Sequence, residues 1–282
     1  MHRHYIPFNK IRHSVITLED EDSRHLQCIL RVQPGDHIEA FDGQGHTREM
    51  AVTELGKRSV QLTPVWATRV HPKPSPRVTL FTAAFKPGRM DWLVEKAVEL
   101  GVWQIIILAT ERCAIPGVES RDPARWQRLA REALRQSGGV WEPEITCVDF
   151  NAARIKVNSF TKRGGVVWFG DLSKNAPPFC EELGRAKTPV EPREEASNDA
   201  PEDCAQPGVL EFGWIVGPEG DFTEAEMAAL REAGAKGVSL GPRVLRSETA
   251  GIFGLCAINC FVDSGRLQST KVDANRQEKP HA

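Results

Sequence analysis

Gly213-Trp214-Ile215-Val216-Gly217-Pro218-Glu219-Gly220-Asp221-Phe222-Thr223 is the stretch on which the fold turns. Its opening residues are apolar and suit a strand buried on both faces. Glycines then bracket a short loop, and Thr223-Glu224-Ala225-Glu226 has the spacing of a capping box that opens a helix. A strand, a loop and a helix in direct succession form the repeating unit of a parallel α/β sheet. Lacking a Cβ, Gly217 and Gly220 let the backbone approach a ligand, and the first amides of the helix point outward as donors. Glycine also serves strand-to-helix turns that bind nothing, so this loop alone leaves both readings open.

Further along, Leu240-Gly241-Pro242-Arg243-Val244-Leu245-Arg246-Ser247-Glu248-Thr249-Ala250 repeats the arrangement. It follows an apolar run, Gly237 to Gly241, which reads as another strand buried on both faces, and it opens a last helix from Ser247 to Val262. Ligands of open α/β sheets sit beyond the carboxyl ends of the strands, so two such loops can wall one pocket. Ser247 reads as a helix cap or a site residue, and Glu248 as a favourable charge at a helix start or a functional carboxylate. Arg246 is harder to assign to structure, because a guanidinium beside a helix start needs an anionic partner.

Upstream, the same alternation predicts strands at Arg77 to Phe85, Val102 to Ala109, Gly165 to Gly170 and Phe212 to Gly217, with helices at Arg89 to Leu100 and Pro123 to Ser137. Met90, Leu93, Val94 and Ala97 give the first of these helices an apolar stripe, and Gly101 stops it. His71-Pro72-Lys73-Pro74-Ser75-Pro76 is an extended, stiff connector. Before it, strands His37 to Phe41, Arg48 to Leu55 and Ser59 to Val65, broken by turn residues and one helix near Asp20 to Leu30, fit a small barrel. The plan is a first domain over 1–72, a linker at 73–76 and an α/β domain over 77–263. A polar surface insertion interrupts the latter at 185–208, and a polar tail occupies 264–282.

The chain has 282 residues, 40% of them hydrophobic, enough for a large core and a small one. A net charge of -2 provides no global basic field, so any RNA contact rests on local patches. The seven cysteines show no CxxC pair, and neither a disulfide framework nor a metal site is expected. No secretory start and no membrane-length apolar run are found, which points to the cytoplasm and to no membrane partner. His2, His4, His13, His25, His37, His46 and His71 match no metal-site spacing and read as solvated or stacking. The absence of GxGxxG after a strand and of GxxxxGK[ST] argues against an oxidoreductase or an ATPase.

The two loops resemble, almost residue for residue, the signature segments of the ribosomal RNA small subunit methyltransferase E family, within the knotted SPOUT methyltransferases. Other segments fit in the same order: Leu30-Arg31-Val32 with Pro34-Gly35-Asp36, Phe41-Asp42-Gly43, Lys96 with Glu99-Leu100-Gly101-Val102, Glu111-Arg112, and Glu132 through Gln136-Ser137-Gly138 to Pro143-Glu144-Ile145. The resemblance implies a trefoil-knotted α/β methyltransferase domain behind a PUA-like RNA-binding barrel. It implies a homodimer with the last helix at the interface; Gly251, Gly254 and Ala257 suit close packing there or against the core. The implied reaction is S-adenosylmethionine-dependent methylation of uracil N3 at uridine 1498 of 16S ribosomal RNA in the assembled small subunit.

The resemblance assigns the cofactor to Val216, Gly217, Pro218, Glu219, Gly220, Leu240, Gly241, Leu245, Arg246, Thr249 and Ala250. Arg246 is the first catalytic candidate, as a stabiliser of charge on the uracil oxygens, with Glu219 and Glu248 as possible bases. Arg3, Lys10, Arg12, Arg24, Arg31, Lys86 and Arg89 are candidates for RNA binding. Gly139-Val140-Trp141-Glu142 stands where the family carries Arg-x-Arg-Val, and Asp221 stands in place of a third glycine. These departures keep two alternatives open, a related enzyme with another RNA target and a non-catalytic RNA-binding adaptor.

Overall fold

Apolar side chains at every second residue bury one face of a strand, and Ile16–Glu19 and Ser59–Pro64 follow that rule. The computed structural model describes residues 1–113, 122–186 and 210–277. Residues 187–208 of the expected insertion, and 278–282 of the expected tail, lie outside them. The chain divides into two compact units, Met1–Lys73 with Gln127–Pro143, and Pro74–Trp126 with Glu144–Ala282.

The first unit holds β1 (His2–Tyr5), α1 (Phe8–Ile11), β2 (Ile16–Glu19) and α2 (Asp20–Arg24), which runs into a π-helical turn at His25–Ile29. There follow β3 (His37–Phe41), β4 (His46–Leu55), β5 (Ser59–Pro64) and β6 (Arg69–Val70). The sheet order is β1-β3-β4-β5-β2, with β6 on β4, and β1 alone pairs in parallel, with β3. Its core is built from Ile6, Ile11, Ile16, Leu18, Leu26, Ile38, Met50, Val60 and Leu62. Gln127–Pro143 joins this unit through specific bonds. Arg3 donates to the carbonyls of Leu134 (2.7 Å) and Gly139 (3.1 Å), and Trp141 Nε1 donates to Pro72 O (3.0 Å). The histidines stack or pair: His4 lies 5.6 Å from His25, and His46 lies 4.9 Å from Phe8. Burial beside Arg135 pushes His25 down to about 4.

The second unit runs β7 (Arg77–Ala83), α3 (Pro87–Glu99), β8 (Gln104–Ala109), the start of α4 (Pro123–Ser137), β9 (Glu144–Asp149), α5 (Phe150–Lys162) and β10 (Val166–Gly170). It continues with α6 (Phe179–Arg185), β11 (Glu211–Val216), α7 (Glu224–Glu232), β12 (Lys236–Val238) and α8 (Ser247–Gln277). Every pairing is parallel, in the order β12-β10-β11-β7-β8-β9. The α/β fold with a parallel sheet is therefore as the sequence implied.

β11 sits inside the sheet, and its alternate side chains face different layers. Ile215 packs with Phe81, Val157, Phe160, Val167 and Phe222 on one side. Trp214, fully buried, stacks on Phe179 at 5.0 Å and donates from Nε1 to Ala250 O (3.1 Å) on the other. Truncating such a side chain typically costs about 3–5 kcal/mol.

Two expectations need correction. Gly237 to Gly241 does not form a strand buried on both faces: β12 ends at Val238, lies at the sheet edge, and exposes Lys236. The last helix does not stop at Val262 but runs to Gln277, since no proline interrupts the chain between Ser247 and Lys279. Of the two packings left open for Gly251 and Gly254, the structure shows the core of their own unit, where a Cβ would come within 2.8 Å of Leu93 and 2.2 Å of Trp214. Strands β1, β2, β6 and β9 and helices α1, α5 and α6 had no expectation attached.

Candidate active site

The carboxyl ends of β10, β11 and β12 open on a single cleft of about 520 Å³. Three loops wall it: Gly170–Ser173 after β10, the Gly217 loop after β11, and Ser239–Arg246 between β12 and α8.

The Gly217 loop is fixed at both ends. Thr223 Oγ1 accepts from Glu226 N (3.2 Å), and Glu226 Oε2 accepts from Thr223 N (2.9 Å), completing the capping box. The second oxygen of the buried Glu226 accepts from Glu111 N (2.9 Å), tying the helix start to the end of β8. Arg112 Nη1 donates to Gly220 O (2.9 Å). Between these ties, Asp221 adopts φ +59°, the left-handed region that favours glycine. Its Oδ1 accepts from Phe222 N (2.8 Å), and burial, with the Asp171 charge adding to it, pushes its carboxyl above the usual aspartate range.

The Leu240 loop has few such ties. Gly241 takes φ +114°, which a side chain rarely tolerates, and Ser239 Oγ meets Gly241 N at 3.3 Å. Val244 is 76% exposed. Arg246 is exposed at the rim and has no carboxylate partner among the described residues.

The third wall was not anticipated from the sequence, although Gly170-Asp171 directly follows a predicted strand and carried the same strand-end signal. Asp171 is buried, and burial alone would raise its carboxyl. Bonds from Ser173 and Arg231 (2.6 Å) outweigh that and hold it below the usual range. Gly237 is required beside it, because a Cβ there would lie 2.4 Å from Asp171 Oδ2.

Of the sequence candidates, Val216, Gly217, Pro218, Glu219, Leu240, Gly241, Leu245, Arg246 and Ala250 line the cleft. Gly220 and Thr249 do not; Gly220 instead lies against Arg112, 3.4 Å from where its own Cβ would be. Glu248 also falls outside the lining and faces Arg89, whose Nε is 3.7 Å from Glu248 Oε1. Arg89 bonds Glu219 as well, so it links the candidate carboxylates of two loops. The other oxygen of Glu248, Oε2, is buried with no hydrogen-bond partner among the described residues.

The RNA candidates divide. Lys10, Arg12, Arg24, Arg31 and Lys86 are exposed. Arg3 needs correction, because it is a structural strut: it pairs with Glu39 at 2.6 Å, bonds two carbonyls and packs over Phe41, leaving 12% of its side chain exposed. Arg89 is likewise committed within the site rather than free for RNA. No group of three or more His, Cys, Asp or Glu able to hold a metal ion occurs among the described residues.

A parallel sheet whose strand-end loops wall a cleft, in a chain matching family models for an RNA methyltransferase domain at residues 71–164 and 178–259 and an RNA methyltransferase PUA domain at 18–65, defines the class as RNA methyltransferase. A ribosomal RNA small subunit methyltransferase E of Synechocystis is 27% identical, covering 90% of this chain and 76% of that protein. That of Bacillus subtilis is 24% identical, covering 92% and 96%. Among solved structures, the Neisseria gonorrhoeae ribosomal RNA small subunit methyltransferase E bound to S-adenosyl methionine superposes with a TM-score of 0.72 at 27% identity, covering 92% of this chain and 97% of that one. The chain belongs to the ribosomal RNA small subunit methyltransferase E family.

Proposed function

We propose that the protein methylates uracil N3 at uridine 1498 of 16S ribosomal RNA in the assembled small subunit, in the cytoplasm, with S-adenosylmethionine as donor. The supporting observation is the cleft itself, in which Arg246 stands at the rim with no carboxylate among the described residues to neutralise it.

The cleft fits such a cofactor. Its volume of about 520 Å³ lies in the range of small-molecule sites. Trp214, Val216, Leu240 and Leu245 offer apolar walls for a purine, and Gly217 and Gly241 admit close backbone contact. When bound, the donor supplies a methyl group already activated on a sulfonium. The protein has to align the acceptor and help uracil N3 lose its proton. Arg246 stabilises the negative charge that spreads over the uracil oxygens as the proton leaves. Glu219, which lines the cleft, and Glu248, which keeps one oxygen unbonded, are the candidate proton acceptors. Uracil N3 lies on the Watson–Crick edge, so the base enters unpaired. The family resemblance supports a homodimer with each site completed by the second subunit, which sedimentation of the purified protein tests.

A second reading is favoured by Trp141. Where the family carries an arginine, this indole sits against Gly45, its Cζ2 2.3 Å from where a Cβ on that glycine would stand, and bonds Pro72. With those cations replaced by packing, the enzyme could act on a different RNA position.

The test is methyl transfer from radiolabelled S-adenosylmethionine to small subunits lacking the modification, with nucleoside mapping. Label in 3-methyluridine at the stated position supports the proposal, and label elsewhere supports the second reading. Cofactor binding with no transfer to any RNA supports an adaptor.

A further inference from the structure

In the first unit, Trp66 is 69% exposed, as is Val70. Exposed apolar groups mark a contact site when they are contiguous and rimmed by polar side chains, not when they stand alone. Trp66 lies just beyond the PUA match at 18–65, and no role has yet been assigned to it.

Its surroundings are set by Arg48 on β4. The Arg48 guanidinium donates to the carbonyls of Ile11 (2.9 Å), His13 (3.1 Å) and Trp66 (3.2 Å), holding the Trp66 backbone beside the turn that ends α1. His46, two residues earlier, presents its side chain on the same face of the sheet. The His46 ring packs on Phe8 at 4.9 Å, and Arg12 lies over Phe8 at 4.0 Å from the ring centre. Val70 is the direct cross-strand partner of His46 and shares that face. Arg48 and His46 thereby gather the Trp66 backbone, Phe8 with Arg12, and Val70 around the start of β4, a strip in which Trp66, Arg12 and Val70 are exposed. Neither Arg12 nor Arg48 has a carboxylate partner among the described residues, because Arg48 binds only carbonyls. The strip combines an exposed indole with two uncompensated guanidinium charges.

An indole face accepts any nucleobase, and adjacent guanidinium groups accept the phosphates on either side. We infer that Trp66 is a stacking platform for an unpaired nucleotide of the RNA substrate, with the exposed Arg12 supplying the phosphate contact and Arg48 fixing the Trp66 backbone. The inference rests on the reading of the chain as an RNA-acting enzyme and adds a base-binding position outside the cleft. A protein partner would use the same indole without needing a base, and that difference makes the proposal testable.

The experiment measures anisotropy of a labelled single-stranded oligoribonucleotide, and of an abasic oligomer of equal length, with the full-length protein, Trp66→Ala and Trp66→Phe. Trp66→Ala should weaken binding of the oligoribonucleotide about tenfold, leave the abasic oligomer unchanged, and be largely rescued in Trp66→Phe. Equal affinity of Trp66→Ala and the unmodified protein for the oligoribonucleotide would overturn the stacking role and leave the surface to a protein partner. Equal weakening on both oligomers would also overturn it, by making the effect one of fold or charge. If the unmodified protein bound neither oligomer, the platform would fall, while methyl transfer to small subunits would separately test the RNA-acting reading.

Discussion

The Gly217 loop and the Leu240 loop wall the same cleft in opposite ways. The first is held by a reciprocal capping box, by Glu226 bridging to Glu111, and by Arg112 on the Gly220 carbonyl. The second presents Val244 to solvent and leaves Arg246 unpaired among the described residues. Preorganised donors and backbone are useful where a ligand must find its site already built, because ordering costs are met on folding rather than on binding. An uncommitted guanidinium is useful where charge appears only during reaction, since a standing partner would compete with it. The contrast separates a holding wall from a reacting wall, and substitutions can be aimed at each.

The largest effect is expected at the reacting wall. Arg246→Ala removes a group with no structural partner, so the melting temperature should stay within about 1 °C, while kcat falls roughly 10²–10³-fold. Single-turnover methyl transfer beside a thermal melt checks both. A variant that transfers methyl at the normal rate would take Arg246 out of the mechanism.

Glu226→Ala strikes the holding wall. It strips the acceptor from two backbone amides, Glu111 N and Thr223 N, at a residue only 7% exposed. Leaving both unsatisfied should cost about 3 kcal/mol, a fall of roughly 10 °C in melting temperature. Calorimetry should also find weaker cofactor binding, with kcat at saturation little changed. A large fall in kcat at saturating cofactor would erase the distinction between the walls.

Arg89→Met tests the link between them. Arg89 is about one-third exposed, so its pairs with Glu219 and Glu248 should add less than about 1 kcal/mol to stability. Turnover should nevertheless fall about tenfold if the pairing holds either carboxylate in place. Unchanged turnover would reduce Arg89 to a surface charge.

The two walls also differed in how well the sequence disclosed them. The Gly217 loop was legible because Thr223 and Glu226 form a local motif, three residues apart, whose bonds close within one turn. The parallel sheet was legible for a similar reason, since the apolar runs at Arg77–Ala83 and Glu211–Val216 need burial on both faces. What stayed hidden depends on partners distant in the chain. Nothing near Arg3 announces Leu134 or Gly139, so a buried strut read as an RNA contact. Gly170-Asp171 was passed over because its meaning comes from Arg231 and from a neighbouring strand whose Gly237 makes room for it. The edge position of β12 was equally invisible, because Val238 and its neighbours read alike in a central strand and an edge strand.

The smallest expected effect concerns Asp221, the one strained point in the holding wall. A non-glycine residue at φ +59° carries backbone strain that glycine would not, although glycine costs more entropy on folding. Asp221→Gly also loses the Oδ1 bond to Phe222 N, so the net gain should be no more than about 1 kcal/mol, or roughly 2–4 °C. Its pH dependence is the sharper signature. Because burial raises the folded-state carboxyl above its unfolded value, the folded chain holds that proton more tightly, and Asp221 lowers stability as pH rises through the window just above the ordinary aspartate range. The advantage of Asp221→Gly should therefore be small in acid and full at neutral pH, as thermal melts of both proteins across that window would reveal. An advantage constant with pH would assign the whole effect to backbone strain. A loss of stability at every pH would mean that the bond to Phe222 outweighs strain and burial together, so that the aspartate is a further tie of the holding wall.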